Sequence, residues 1–316
     1  VQAWYISFHG GDDDTDWNNI HVFDLAGKPL GKALATHTLP GGLELRELRG
    51  FEFGPDGALY VANAYQHASQ VLRFTGDVNK HQQHEFIDIF VSRHQDNPGL
   101  AHPFDVSFGP DQNLYVPSQD TNVVGRYYGP HGAGGHPGQP MPFPEALAHE
   151  NVRHLPPGTF VPSAEHVPEG VRTVRRTLFG PGGDLFVADR DSNSVKRYET
   201  TSGKLRAIYK HHKLQKPVHL VVRPVDGAVL VGSREQNAIF VLDPETEAID
   251  MLVEPSAGGL DAPAGMAIGP DGKLYVCSRK GKSILRFDPQ TGMPDPEPFI
   301  SGLRDFPEFI SLVERT

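Results

Sequence analysis

The sequence predicts an all-β fold, a six-bladed β-propeller of four-stranded antiparallel blades. Three features carry that expectation: a hairpin motif that recurs along the chain, further strands after most copies, and chain ends that complete each other. The clearest copy reads Phe53-Gly-Pro-Asp-Gly-Ala-Leu-Tyr-Val-Ala-Asn63. Relatives begin at Phe108, Phe179 and Ile268, and a fifth, Val222-Arg-Pro-Val-Asp-Gly-Ala-Val-Leu-Val, has one extra residue in its turn. In each, proline presets φ at the second turn position, Asp suits the third and Gly takes the left-handed conformation that re-aims the chain.

A third strand follows most copies, as in Ser69-Gln-Val-Leu-Arg-Phe74, Asn122-Val-Val-Gly-Arg-Tyr127, Ser194-Val-Lys-Arg-Tyr198, Ala238-Ile-Phe-Val-Leu242 and Ser283-Ile-Leu-Arg-Phe287. Segments such as 85–91 and 248–253 supply a fourth. A repeat of about 45 residues with four strands matches a propeller blade. The sixth blade is divided between the ends: 307–313 reads as a first strand with nothing after it, and 4–8 and 19–24 read as second and third strands with nothing before them. Pairing the ends closes the ring and removes its exposed edges.

Composition agrees with one turn-rich domain spanning 1–316: there are 34 Gly and 28 Pro, and 22% of residues are charged. A net charge of −10 with no Lys/Arg run argues against nucleic acid and anionic membranes as partners. A lone Cys277 forms no internal disulfide, and a cytoplasmic monomer is expected, with the first residue Val leaving secretion open. Cys277 reads as a small buried residue. The stretch from about 128 to 165, rich in Gly, Pro and His, is an insertion expected to return over the funnel as a lid or a surface loop.

With this repeat, the chain resembles the NHL-repeat propellers, a superfamily akin to streptogramin lyases, peptide-amidating lyases and regucalcin/gluconolactonase-type lactonases. The resemblance covers nearly the whole chain outside the insertion and implies a six-bladed ring that hosts lyases, lactonases and binding scaffolds alike. No subfamily pattern is matched closely. Where the lactonases carry metal ligands, this chain has Pro263-Ala264-Gly265 and Arg175-Arg176, and only Glu308 echoes their acidic ligand. Peptide-amidating lyases place histidines directly after a proline that here precedes Phe104 and Val218, with His219 one place late. The Trp-Phe-Thr-Glu repeat of streptogramin lyases is missing, although His219 and Glu308 resemble their funnel His and Glu.

Chain direction gathers the segments leading into first strands, and those leaving second strands, on one face, the funnel. Alignment on the motif puts Gly50, Asp105, Arg176, His219, Gly265 and Glu308 at equivalent lead-in positions, and His9, Ala64, Gln119, Arg190, Arg234 and Arg279 at the exits. The expected catalytic set is His219 as general acid or base, Asp105 or Glu308 as its partner, and Arg176 stabilising developing charge. His9, Gln119, Arg190, Arg234, Arg279 and His102 would bind substrate, the arginines gripping a carboxylate or phosphate through paired N–H donors. Inter-blade salt bridges, such as Arg190 with Asp189 or Asp191 and Arg234 with Glu235, are the competing use of these arginines.

The function expected is acid/base chemistry of lyase, cyclase or hydrolase type on a small anionic molecule. The alternatives are a propeller that binds a ligand or protein without catalysis and a plain scaffold. A divalent cation (Ca, Mg or Zn) is a candidate cofactor, held by Glu308, Asp105 and His219. Asp12, Asp14, Asp16 and Asn18 alternate like the oxygen ligands of a calcium loop, although the Gly and final Glu of an EF-hand are missing. His94, His102, His166, His211 and His212 fall in or near lead-in loops without a metal-binding spacing.

Overall fold

The computed structural model describes residues 1–11, 15–65, 69–132, 135–148 and 152–315. They form six antiparallel sheets, one per blade. The first strands Leu48–Phe53, Ser107–Phe108, Val174–Phe179, Pro217–Val222, Pro263–Ile268 and Pro307–Glu314 each touch the next, and the last touches the first, so they ring a central axis. The ring closes where Pro307–Glu314 pairs along Gln2–Phe8 from Gln2–Glu314 to Phe8–Pro307. Five sheets have four strands. In the sixth the outer strand is reduced to the bridges Ile284–Ile300 and Phe287–Pro294.

The recurrent turn folds as its chemistry predicts. Gly54 N–H donates to the Ala58 carbonyl at 2.8 Å, and Gly57 takes φ 78°, a region that costs a residue with a Cβ about 1–2 kcal/mol. Asp56 accepts from Ala58 N–H (3.2 Å) and from the Tyr60 hydroxyl (3.1 Å). The same Asp-to-Tyr bond recurs at Asp111–Tyr115 (3.0 Å) and Asp271–Tyr275 (3.1 Å), tying each hairpin tip to its own second strand.

Six apolar clusters lie between successive blades, because each sheet buries both faces against its neighbours. At the closing seam, Trp4 packs against Tyr275 with ring centres 4.3 Å apart and planes tilted by 35°. Cys277 is buried there, and burial pushes its thiol well above the usual range, which suits a small core residue.

Neighbouring blades are also stitched on the funnel side. Asn122, Asn193 and Asn237 adopt φ of 53°, 49° and 49° in the turns after second strands. Their side-chain oxygens accept from Val174 N–H (3.3 Å), Lys216 N–H (2.9 Å) and Ala262 N–H (2.7 Å), each leading into the next blade. Asn237→Gly should lose only that bond, about 1 kcal/mol, whereas Asn237→Ala adds left-handed strain for a total of about 2–3 kcal/mol. Equal urea midpoints for the two variants would contradict this account.

The described residues of the insertion are not placed as a lid. It leaves the third strand Val123–Tyr127 at the end away from the funnel and returns as its own blade's fourth strand, Thr159–Val161, rather than directly into a first strand. Gly129 N–H donates to Asn113 Oδ1 (3.0 Å) and Ala146 N–H to the Ser202 carbonyl (2.8 Å), both in turns of the opposite face. An edge strand hidden beyond the long Gly/Pro segment made the connection look like a link between blades.

Candidate functional site

A bulge at the start of the first strands decides which side chains meet. The ladder pairs Leu48 with Asn63, Pro103 with Ser118, Val174 with Asp189, Pro217 with Ser233, Pro263 with Ser278 and Pro307 with Phe8. After this pair the register slips, leaving extra residue on the first strand. One place past the anchor stand Arg49, Phe104, Arg175, Val218, Ala264 and Glu308; two places past stand Gly50, Asp105, Arg176, His219, Gly265 and Phe309. Glu308 therefore belongs with Arg49 and Arg175, one position earlier than the motif alignment puts it, and Phe309 takes the place beside His219.

The exit ring stands as aligned. The N–H groups of His9, Gln119, Arg190, Arg234 and Arg279 donate to the carbonyls of Phe306 (2.8 Å), His102 (3.1 Å), Thr173 (2.8 Å), Lys216 (3.1 Å) and Ala262 (3.1 Å). Left-handed backbone at His102, Lys216 and Ala262 (φ 54°, 51° and 55°) accompanies these bonds. This rigid seam presents the exit side chains to the funnel.

At the centre sits Glu308, 4% exposed. Arg279 Nε donates to its Oε1 at 2.7 Å, His9 Nδ1 lies 3.4 Å from the same oxygen, and Arg234 Nη2 lies 3.9 Å from Oε2. Arg49 reaches His9 through both the carbonyl (3.2 Å) and Nδ1 (3.2 Å), and Glu47 lies 3.6 Å from Arg49. Arg190 is held by Asp191 (3.0 Å), the local pairing expected of it. Arg234 instead faces Glu308, and Arg279, which has no partner nearby in sequence, finds one on the neighbouring blade at the closing seam. His102 lies 3.7 Å from Glu47 and 3.8 Å from Asp120 at the rim. Gln119 enters the ring through its backbone bond.

Positive charge is crowded here. Burial raises the Glu308 pKa, but the His9 hydrogen bond and the charges of Arg49, Arg234 and Arg279 outweigh it and hold the carboxyl far below its usual range. Burial, then Arg190 and Arg234, push Arg175 down to about 10, so it stays charged at neutral pH. Arg234 is pushed down by burial and by Arg279, Arg190 and Arg49, against the pull of Glu308. Its Nε and Nη2 are buried without a hydrogen-bond partner, and Arg175 has no carboxylate within 4.0 Å among the described residues. Sequence reasoning missed Arg49 and Arg175, which the bulge turns into the funnel.

The remaining expected residues form a second group deeper in the ring. Arg176 is paired with Asp105, which is fully buried, and burial raises the Asp105 pKa while Arg176 draws it back. His219 is 3% exposed, and burial followed by the charges of Arg176 and Arg234 pushes its imidazole well below the usual range, leaving it neutral. Phe309 packs on His219 (5.2 Å between rings) and under Arg176 (5.9 Å), while Phe104 packs on Phe309 (5.3 Å) and under Arg175 (5.6 Å). These two rings lie between the groups. His219 and Arg176 line the central channel and Glu308 does not, so His219, Asp105 and Glu308 do not share one pocket.

The donor set does not fit the expected divalent cation either. Glu308 is wrapped by cations, Asp105 is taken by Arg176, and among the described residues no three His, Cys, Asp or Glu side chains gather to hold a metal. Asp12 and Asp14 of the acidic loop lie outside the described residues. Asp16 bonds Lys32 (2.7 Å), while Asn18 bonds Gly11 (2.8 Å) and Glu47 N–H (3.2 Å). The rings of His211 and His212 pack at a tilt, 4.3 Å apart.

The closed ring of six sheets defines the chain as a six-bladed β-propeller. No family profile matches the sequence, and no curated protein matches it. Among solved structures it is similar to the periplasmic gluconolactonase PpgL of Pseudomonas aeruginosa (16% identity, 100% of this chain and 99% of that one, TM-score 0.62). It is also similar to a chain of a nidogen/laminin complex (12% identity, 99% and 98% covered, TM-score 0.65) and to virginiamycin B lyase of Staphylococcus aureus (13% identity, 92% and 83% covered, TM-score 0.58). At these identities the likeness is one of fold.

Proposed function

We propose that the funnel face is an active site for a small anionic molecule, working by acid/base chemistry of lyase or hydrolase type. The observation that carries this reading is the gathering of Arg49, Arg234 and Arg279 around one buried carboxylate, with Arg175 and Arg190 beside Arg234 and N–H groups of Arg234 left without a hydrogen-bond partner. Donors buried without partners cost folding free energy, and an anionic ligand would satisfy them. Propellers named as a lyase and as a gluconolactonase share the fold and support an enzyme of that general kind.

His9 is the proton-transfer group in this proposal. Its side chain is 39% exposed, and in the tautomer that donates Nδ1–H to Glu308 Oε1, with the Arg49 and Arg279 nitrogens standing beside Nδ1 at 3.2 and 3.5 Å, Nε2 carries the lone pair that meets substrate. Glu308 orients the ring and stabilises the imidazolium formed when Nε2 takes a proton. Negative charge developing on the substrate falls to Arg234, Arg279 and Arg175.

The test is proton NMR in D₂O with a panel of small carboxylates, hydroxy acids and lactones. Hydrogen exchange, elimination or ring opening of one member is expected, slowed about 10²–10⁴-fold in His9→Gln, while binding of that member changes far less. Binding of a panel member without any turnover by the wild type would remove the enzyme and leave a binding module.

A further inference from the structure

The deeper group belongs to a cavity of about 720 Å³ on the axis, within the roughly 300–1,000 Å³ that small-molecule sites occupy. Its walls come from the far halves of the first strands, including Phe53, Phe108, Leu178, Val221, Ile268 and Leu312, so it opens beside the hairpin turns, opposite the funnel. At its inner end stand Glu52, Arg176 and His219, and Phe309 closes it from the funnel. A Cβ at position 50 would lie 2.0 Å from Asp105 Oδ1, so only glycine lets the strands converge this closely at the floor.

Polar atoms at this floor are buried and unanswered. His219 Nδ1 and Arg176 Nε have no hydrogen-bond partner, and neither has Oδ1 of Asp105, the ion-pair partner of Arg176 behind the lining; His219 and Asp105 are 3% and 0% exposed. Arg176 and Asp105 cancel as a pair, and His219 is neutral. Burial, reinforced by Asp105 and opposed by Arg176, pushes Glu52 up to about 8, so it is mostly protonated at neutral pH. The floor offers donors and acceptors with no net charge, under walls whose apolar side chains are joined by Ser107 and Ser311 and end at Glu314.

We propose that this channel is a second binding site, for one uncharged molecule that is apolar along most of its length and carries a hydroxyl, carbonyl or amide group at its inner end. The head group bonds the floor atoms of Arg176, His219 and Glu52, and the tail lies against the apolar walls. A charged head would have to be buried without a counterion, which the floor disfavours.

Methionine methyl NMR tests this, since the chain has 4 Met and Met266 is in the channel wall, with its methyl packed behind that wall beside Gly232, where filling of the channel perturbs it. The probes are 1-decanol, decanoate and decylammonium, with the Met266 signal assigned by its loss in Met266→Leu. Decanol should move the Met266 signal saturably and leave the other methyl signals in place, with decanoate and decylammonium at least about tenfold weaker. Leu178→Trp, which fills the channel, should abolish the shift; Val221→Trp serves if that variant does not fold. A Met266 signal unmoved to the solubility limit of decanol overturns the proposal, as does equal binding of the three head groups by the wild type or an unchanged shift in a folded Trp variant.

Discussion

Glu308→Gln should cost about 3–5 kcal/mol of folding stability, the largest loss expected of any single substitution in the funnel. The carboxylate is buried and is the counterion on which Arg279, Arg234 and the His9 ring converge. Removing its charge leaves Arg279 and Arg234, with Arg49 beside them, facing one another in a partly desolvated space. The loss should have a chemical signature: phosphate or sulfate, bound in place of the missing charge, should raise the variant's unfolding temperature more than the wild type's. It should also have a pH signature. Since the folded-state pKa is depressed, the stabilisation is fully present above the unfolded value of about 4.3 and is lost as pH falls below it. The wild type should therefore lose its advantage over Glu308→Gln between about pH 4 and lower pH. A constant difference from pH 7 to pH 3, or no rescue by anions, would contradict the role assigned to Glu308.

Arg234→Met should separate binding from stability. Two of its guanidinium nitrogens are buried without hydrogen-bond partners, its ion pair with Glu308 is long at 3.9 Å, and three arginines press on it, so its removal should leave folding stability unchanged or raise it by about 1 kcal/mol. Binding of a small dicarboxylate such as succinate should instead fall about 10- to 100-fold, the loss of a charge-assisted hydrogen bond. Calorimetric titration and a urea series on the same preparation check both halves. A variant that unfolds more easily while binding succinate as tightly as the wild type would mean that Arg234 is only a structural cation.

The fold was legible because its evidence repeats. Gly-Pro-Asp-Gly turns, alternating strands and complementary ends all point to one closed ring, and the exit residues His9, Gln119, Arg190, Arg234 and Arg279 fall where motif spacing puts them. The lead-in residues were harder because a bulge adds residue that a motif on the far side of the strand does not register. Glu308 and His219, matched by that motif, stand one position apart and end on opposite sides of the Phe104–Phe309 layer. A signal was present: Pro103, Pro217, Pro263 and Pro307 all occupy the anchor position, and counting from them puts Glu308 beside Arg49 and Arg175. Nothing local marks Glu52 as inward, because that follows from strand phase alone. The course of the insertion depended on a short outer strand, Thr159–Val161, too brief to show an alternation.

The claim on which the rest depends is that the funnel arginines receive an anion. Anomalous diffraction from crystals soaked in selenate tests it most directly. The account predicts a peak within hydrogen-bond distance of Arg234 Nη2 and of at least one of Arg175, Arg190 or Arg279, absent from Arg234→Met crystals. Selenate found only on outer surfaces, with the funnel free of it at saturating concentration, would contradict the account.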